Sequence, residues 1–234
     1  SANSRRGLRS SEAAQIFACL LIGAVVGALV EGIRRLIIWL HFIDFNLHHE
    51  ATLSAGIGIS HLRLILVPAL GGLLLGGTAL LVHKFRSSDI VDPVEANALY
   101  GGRMSMIDSL RLTMATLISN ASGASLGMEA GYSQLGAAIF SSIGQYFRLR
   151  RADQRIFVTA GAAAAIAAAF NTPLAGAFYG FELILGSYLL RALAPVAVAA
   201  VSATLVQHAL GEPQTLLLFS CPFIWIRPVT SCLA

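Results

Sequence analysis

The sequence predicts an all-α protein that crosses a membrane several times. Of its 234 residues, 56% are hydrophobic and 12% are charged, whereas an ordinary soluble domain carries about 25% charged residues. The charged residues fall in short clusters between apolar runs, as expected for the ends of membrane helices. Glycines and prolines interrupt several of these runs, which is typical of helices that stop inside a membrane.

The chain begins with a polar stretch that is followed by a long apolar run. Residues 1–11 contain three arginines, and the positive-inside rule places such a segment in the cytoplasm. The apolar run over residues 13–40 exceeds the roughly 20 residues needed to cross a bilayer. We predict one long tilted helix here, and we assign residues 12–210 to a single membrane domain.

The polar segment 44–62 is predicted to be an extracytoplasmic loop. It contains His48, His49 and Glu50, whose side chains are able to bind a metal ion. An adjacent histidine pair is also an ordinary feature of a solvated loop, and we therefore predict no metal site. The three cysteines of the chain are scattered, without the spacing of a metal site or a disulfide framework.

The second apolar run, over residues 64–82, is rich in glycine. Small residues let helix backbones approach each other closely in a bilayer. We therefore predict close helix packing at four positions, Gly71, Gly72, Gly76 and Gly77. A basic cluster follows this run, and we place it in the cytoplasm.

A helix too short to span the membrane is predicted next. Asp92 precedes Pro93, a pairing typical of an N-cap residue followed by proline at the first helical position. A longer helix is predicted over residues 104–119. Within it Asp108 and Arg111 are three residues apart and can pair on one helix face.

A single carboxylate, Glu129, lies among small residues between two apolar patterns. An acid inside a membrane is costly, so it marks a functional site by default. Glycines break the preceding helical pattern and a new apolar run covers residues 132–147, so Glu129 is predicted at the start of a helix. Helix starts carry unpaired N–H groups that favour anions.

Two short apolar segments follow a basic cluster near residue 150. The first covers residues 156–170 and is dominated by alanine, and the second covers residues 174–188 and contains Glu182. The break between them is Asn171-Thr172-Pro173. Pairs of interrupted membrane helices point to a transporter site. A last apolar segment ends near residue 210.

Two stretches carry a resemblance to a known family. Residues 127–131, Gly-Met-Glu-Ala-Gly, resemble the G-R/K-E-G-P motif of the CLC chloride channels and anion/proton antiporters. Residues 160–176, A-G-A-A-A-A-I-A-A-A-F-N-T-P-L-A-G, closely resemble that family's A-G-A-A-A-G-L-A-A-A-F-N-A-P-L-A-G segment. The resemblance covers residues 15–210 and corresponds to the first of the two inverted halves of a CLC subunit.

The resemblance implies half of the CLC inverted-repeat fold, a homodimer with one pore in each subunit, and an anion held at helix starts. Glu129 is then the gate, whose carboxylate occupies the anion site when ionised and leaves it when protonated. The implied anion pathway comprises residues near the two helix starts: Gly127, Met128, Ala130, Gly131, Ser88, Asp89, Ile90, Val91, Asp92 and Pro93.

The first motif of the family, G-S-G-I-P, is altered here. Anchored on its proline, it aligns with residues 89–93, and Ile90 replaces the anion-coordinating serine. Ser88, two residues earlier, is an alternative in a shifted register. Two carboxylates beside an anion site would repel the anion, and helix capping is the expected role of Asp92. Met128 replaces the basic residue of the gate motif, so the field there is less positive.

The position implied for proton transfer is also altered. Many antiporters of the family have a Glu-Glu pair after the F-N-x-P-L-A-G segment, and the equivalent pair here is Glu182-Leu183. Leu183 occupies the proton-transfer position, and Glu182 matches the glutamate with a structural role. The alternative is that Glu182 takes over the proton transfer from the position that Leu183 occupies. The altered pair therefore favours a passive channel or a proton-uncoupled carrier over an antiporter.

The family motifs of the second half, G-x-F-x-P and a pore tyrosine, are not found in this chain. Residues 211–234 are interrupted by prolines and are interpreted as a divergent tail, consistent with a truncated product. Two functions remain. The first is an anion channel or transporter, with chloride as the expected anion. The second is a non-conducting interaction or structural remnant that needs a separate C-terminal half to form a pore.

Other functional classes are not favoured. Ser125 and His208 are the only nucleophile and base to consider, and they lie on distant segments without a G-x-S-G context, so no enzyme and no cofactor are predicted. No basic stripe indicates nucleic-acid binding. We predict a multi-pass protein of a bacterial inner membrane with a cytoplasmic N-terminus. The expected partners are an anion, membrane lipid and a second copy of the chain.

Overall fold

The computed structural model describes residues 12–45, 61–85, 90–124 and 127–211. Within these ranges the chain forms helices and no strand, which confirms the predicted all-α class. The histidine pair and glutamate at residues 48–50, for which no metal site is predicted, lie outside the described residues, as do Ser88, Asp89, Ser125, segment 1–11 and nearly all of the tail.

Eight α-helices and one short π-helical segment follow one another in the described ranges. The α-helices are α1 (Glu12–Phe45), α2 (His61–Phe85), α3 (Pro93–Ala98), α4 (Met106–Ala121), α5 (Glu129–Tyr146), α6 (Arg151–Phe170), α7 (Pro173–Tyr179) and α8 (Leu190–Leu210). The π-helical segment Gly180–Leu185 continues directly from α7. Stretches of α1 (Glu12–Ile43) and α8 (Leu190–Leu210) are long and apolar enough to cross a membrane.

Helix α6 lies at the centre of the fold and packs against α5, α8, α7 and α1. Its alanines from 160 to 168 are buried. A Cβ atom built on Gly136 of α5 would overlap the carbonyl oxygen of Gly161 of α6, and the reverse is also true. The two backbones therefore touch, which only a glycine pair permits at this crossing.

Helices α1 and α8 form a second close crossing. Cβ atoms built on Gly23 and Gly27 would overlap the backbone of α8 at Ala199 and Ala203. Near the end of this crossing Glu31 is buried. Its carboxylate accepts hydrogen bonds from Arg34 Nε at 2.8 Å and from the Nε atom of Arg35 at 2.9 Å. The buried charge is therefore paired, as buried charges in proteins must be.

Most of the predicted helix boundaries hold, with two differences near the broken helices. Helix α6 begins at Arg151 rather than near residue 156, because Arg150 adopts the extended N-cap conformation and Asp153 lies favourably in the first turn. The predicted helix 174–188 ends earlier, as α7 widens into the π-helical segment. Gly186 stops it in the left-handed conformation with φ +67°.

Of the four α2 glycines predicted to pack closely, one does so among the described residues. A Cβ on Gly71 would overlap the side chain of Ser122 at the end of α4. Cβ atoms on Gly72, Gly76 and Gly77 would meet nothing within 4 Å among the described residues. Close packing at these three positions is therefore not formed within the described part of this chain.

Candidate functional site

The candidate site is the start of α5. Glu129 is its first residue, which confirms the predicted helix start. Met128 occupies the N-cap position and its side chain makes no capping hydrogen bond. The first N–H groups of a helix have no partner within the helix. The start of α5 therefore presents backbone donors whose partial positive charge favours an anion.

Glu129 is exposed in this structure, not buried as the apolar sequence around it suggests. Its carboxylate folds back over Gly127 and fills the space that a Cβ atom at residue 127 would need. Gly127 and Ala130 are also exposed. The exposed carboxylate thus lies beside its own helix start, close to two small residues.

The other two residues of the gate motif face the protein interior. Met128 is buried in the hydrophobic core. Gly131 is buried as well, and a Cβ there would overlap the hydroxyl group of Thr116 on α4. The residue that stands where the family has a basic side chain therefore packs inward. It adds no charge to the surface around Glu129.

The second helix start, that of α3, is closed by its own side chain. The Asp92 carboxylate accepts a hydrogen bond from the backbone N–H of Glu95 at 2.7 Å, which confirms the predicted N-cap. Pro93 is the buried first residue of α3. Ile90 is 41% exposed, and no hydroxyl replaces the one that the family motif has at that position.

A buried amide joins the two helix starts. The Nε2 atom of Gln134 on α5 donates to the carbonyl oxygen of Val91 at 2.9 Å and to Oγ of Ser109 on α4 at 3.1 Å. Thr113 Oγ1 lies 3.2 Å from the carbonyl oxygen of Gly131 and donates to it. These bonds hold the segment before α3, helix α4 and the first turns of α5 in one arrangement.

Sequence reasoning missed this polar support. Gln134 is buried in the first half of α5, and an amide within a predicted membrane helix is the signal available from sequence. A buried amide must find hydrogen-bond partners. The sequence alone does not reveal that its partners lie on the segment before α3 and on α4.

The predicted proton-path residues lie on the π-helical segment. Glu182 Oε1 accepts a hydrogen bond from the Tyr188 hydroxyl at 2.6 Å. This bond to a carboxylate raises the pKa of Tyr188, because the deprotonated phenol would lose the bond and face a like charge. The neighbouring Leu183 is 54% exposed and has no group that can carry a proton.

Helix α3 is tied to the same segment by another amide. The Nδ2 atom of Asn97 donates to the carbonyl oxygen of Ile184 at 2.8 Å and to Oγ1 of Thr159 on α6 at 3.3 Å. Asn97 is buried. The short helix α3 is therefore fixed between the first turns of α5 and the π-helical segment, although it is too short to be stable alone.

Known proteins resemble this chain in sequence and in fold. The sequence profile of the family described as "Voltage gated chloride channel" matches residues 71–230. The voltage-gated ClC-type chloride channel ClcB of Escherichia coli O139:H28 is 31% identical over 212 residues, covering 86% of this chain and 50% of the relative. ClcB of Shigella boydii serotype 18 gives the same identity and coverage.

The chain thus spans about half the length of the curated relatives it matches. In fold, it resembles the crystal structure of a slow cyanobacterial Cl⁻/H⁺ antiporter with a TM-score of 0.63 at 22% identity, covering 83% of this chain and 46% of the antiporter chain. The family profile matches well over half of the chain, and the interrupted helices around residue 171 agree with it. The chain therefore belongs to the voltage-gated chloride channel family, the CLC family.

Proposed function

We propose that this protein moves an anion, chloride by family resemblance, across a membrane, with Glu129 as the gate. One observation carries the proposal. Glu129 is the first residue of α5, its carboxylate lies against Gly127, and the N-cap residue Met128 makes no capping hydrogen bond. An ionised carboxylate and a chloride ion compete for the same backbone donors. Protonation removes that competition.

The geometry supports a gate that moves by side-chain rotation alone. Glu129 is exposed and its neighbours Gly127 and Ala130 are small, so no packed side chain of the described residues has to move. The amide of Gln134 meanwhile fixes the helix start through Val91 and Ser109. An exposed carboxylate on a fixed helix start is the arrangement that gating by this residue requires.

The test is chloride efflux from liposomes that contain the purified chain. Flux of the unmodified protein is expected to rise on acidification, because protonated Glu129 leaves the site. Glu129→Gln is expected to lose this pH response and to conduct faster at neutral pH, by about tenfold if the carboxylate interaction is about 1.4 kcal/mol.

Glu12→Gln is the matched control, since Glu12 is an exposed first residue of another helix, α1. It is expected to leave flux and its pH response unchanged. Absence of flux in every variant would contradict transport by this chain and favour a non-conducting role. Flux that appears only with a second polypeptide carrying the other CLC half would support a two-chain pore.

We infer further that anion movement is not coupled to protons through the segment after α7. Leu183 cannot carry a proton, and the Glu182 carboxylate is engaged by Tyr188. A pH-sensitive dye inside the same liposomes is expected to report chloride flux without opposite proton movement. Proton movement in a fixed ratio to chloride would overturn this inference.

The proposal includes the setting of the protein. As a CLC family member it is a multi-pass membrane protein, and we place it in a bacterial inner membrane with a cytoplasmic N-terminus. We also propose a homodimer. Large apolar side chains of α7, the π-helical segment and α8 are exposed, among them Leu174, Leu183 and Leu190, and such a surface suits contact with lipid or a second copy.

A further inference from the structure

An open cavity of about 780 Å³ lies between the connection from α3 to α4 and the connection from α5 to α6. Three arginines line it, Arg103, Arg148 and Arg151, and no lining residue is acidic. We call it the arginine cavity. It meets α5 at the C-terminal end, whereas Glu129 is at the start of that helix, and no residue of the proposed anion pathway lines it.

The three arginines have no carboxylate partner among the described residues. The arginines that do form ion pairs in the described part of the chain are Arg34, Arg35 and Arg111, which lie outside the cavity. Three like charges around one cavity raise the local concentration of anions. The cavity thus carries a charge that a bound anion would balance.

Arg148 occupies a backbone position that favours glycine. It follows the end of α5 with φ +53°, in the left-handed region, and its N–H bonds the carbonyl oxygen of Gln145 at 3.0 Å. Glycine is the usual residue at this place after a helix. A strained non-glycine residue points to a use for its side chain.

Arg151 is held in place by its surroundings. Its Nη2 atom donates to the carbonyl oxygen of Leu99 at 3.2 Å. Its side chain also packs over Gly101, which has φ +62° and no room for a Cβ atom. The turn before α4 is therefore shaped around this arginine, and the guanidinium group is positioned before any ligand arrives.

We propose that the arginine cavity binds the phosphate group of an anionic ligand. Planar guanidinium groups form paired hydrogen bonds with phosphate oxygens, which makes arginine the preferred residue for this group. The basic connection from α5 to α6 belongs in the cytoplasm by the positive-inside rule. Acidic phospholipid headgroups and soluble phosphate are both available on that side.

The test uses the purified full chain in a neutral detergent, with two arms. Native mass spectrometry with equal amounts of phosphatidylglycerol and phosphatidylcholine measures retention of the lipid headgroup. Equilibrium binding of radiolabelled inorganic phosphate measures the soluble source. Preferential retention of phosphatidylglycerol alone assigns the cavity to lipid, and phosphate binding assigns it to a soluble ligand. Neither result in the unmodified chain would overturn the proposal.

Arg148→Gly separates binding from folding. It removes a guanidinium group and relieves the left-handed backbone, so thermal stability is expected to be maintained or increased while affinity falls about tenfold. Arg103→Gln is expected to lower affinity similarly. Arg150→Gln removes the same charge from the same connection but outside the cavity. An equal loss of affinity in Arg150→Gln would show non-specific charge attraction and overturn the proposal.

Discussion

Helices α6 and α2 are both apolar and both contain small residues, but their surroundings are opposite. In α6 the alanines from 160 to 168 are buried, and Gly161 touches the backbone of α5. In α2 Leu73 is 73% exposed, and Cβ atoms on Gly72 and Gly76 would meet no described residue within 4 Å. Small residues therefore permit close packing by a neighbouring helix. Whether a neighbour packs there depends on where the helix lies in the fold.

Close helix packing also matters for the proposed gate on α5. Helix α5 begins at the exposed Glu129 and crosses α6 at Gly136, two turns later. The crossing is held by backbone contact, and the start is held by Gln134. The close packing in the middle of α5 thus supports a helix start at which the Glu129 side chain is exposed.

The largest expected effect comes from closing the space at the α5–α6 crossing. In Gly136→Ala the new Cβ would overlap the carbonyl oxygen of Gly161 and lie 2.7 Å from Cβ of Ala165, and none of these atoms can rotate away. We expect a loss of about 3 kcal/mol in the free energy of unfolding, the upper range for overpacking. Unfolding by SDS in mixed micelles measures it. A loss below about 1 kcal/mol would show that the helices separate easily.

Much of the fold follows from local sequence signals. The Asp92-Pro93 helix start, the pairing of Asp108 with Arg111 at 3.3 Å and the break at Asn171, with its left-handed φ of +53°, are all present as predicted. Each depends on residues close together in the chain. Local hydrogen bonds, caps and charges determine them, so no knowledge of the tertiary structure is needed.

The remaining features depend on partners that are distant in sequence. Gln134 reaches Val91 across 43 residues, and Asn97 reaches Ile184 across 87 residues. For the candidate site, sequence could therefore identify the helix start at Glu129 but not the bonds that position it.

An intermediate effect is expected at Gly71, the one glycine of α2 that has a close neighbour among the described residues. A Cβ in Gly71→Ala would overlap the side chain of Ser122 at the end of α4. Helix α2 packs against few described elements and can shift outward, so we expect a loss of about 1 kcal/mol in the free energy of unfolding. The same SDS titration measures it. A loss as large as that of Gly136→Ala would place α2 among the tightly packed helices.

The smallest effect, and one of opposite sign, is expected for Gly72→Ala. The new Cβ would meet nothing within 4 Å in the described part of the chain, so only helix propensity is expected to change, and alanine is favoured over glycine by up to about 1 kcal/mol within a helix. A gain of about 0.5 kcal/mol in the SDS titration is expected, with the oligomeric state by light scattering unchanged. Gly72 and Gly76 are four residues apart, the spacing through which membrane helices associate closely. A loss of stability with a change in oligomeric state would therefore mean that another helix covers this face of α2, and the contrast with α6 would disappear.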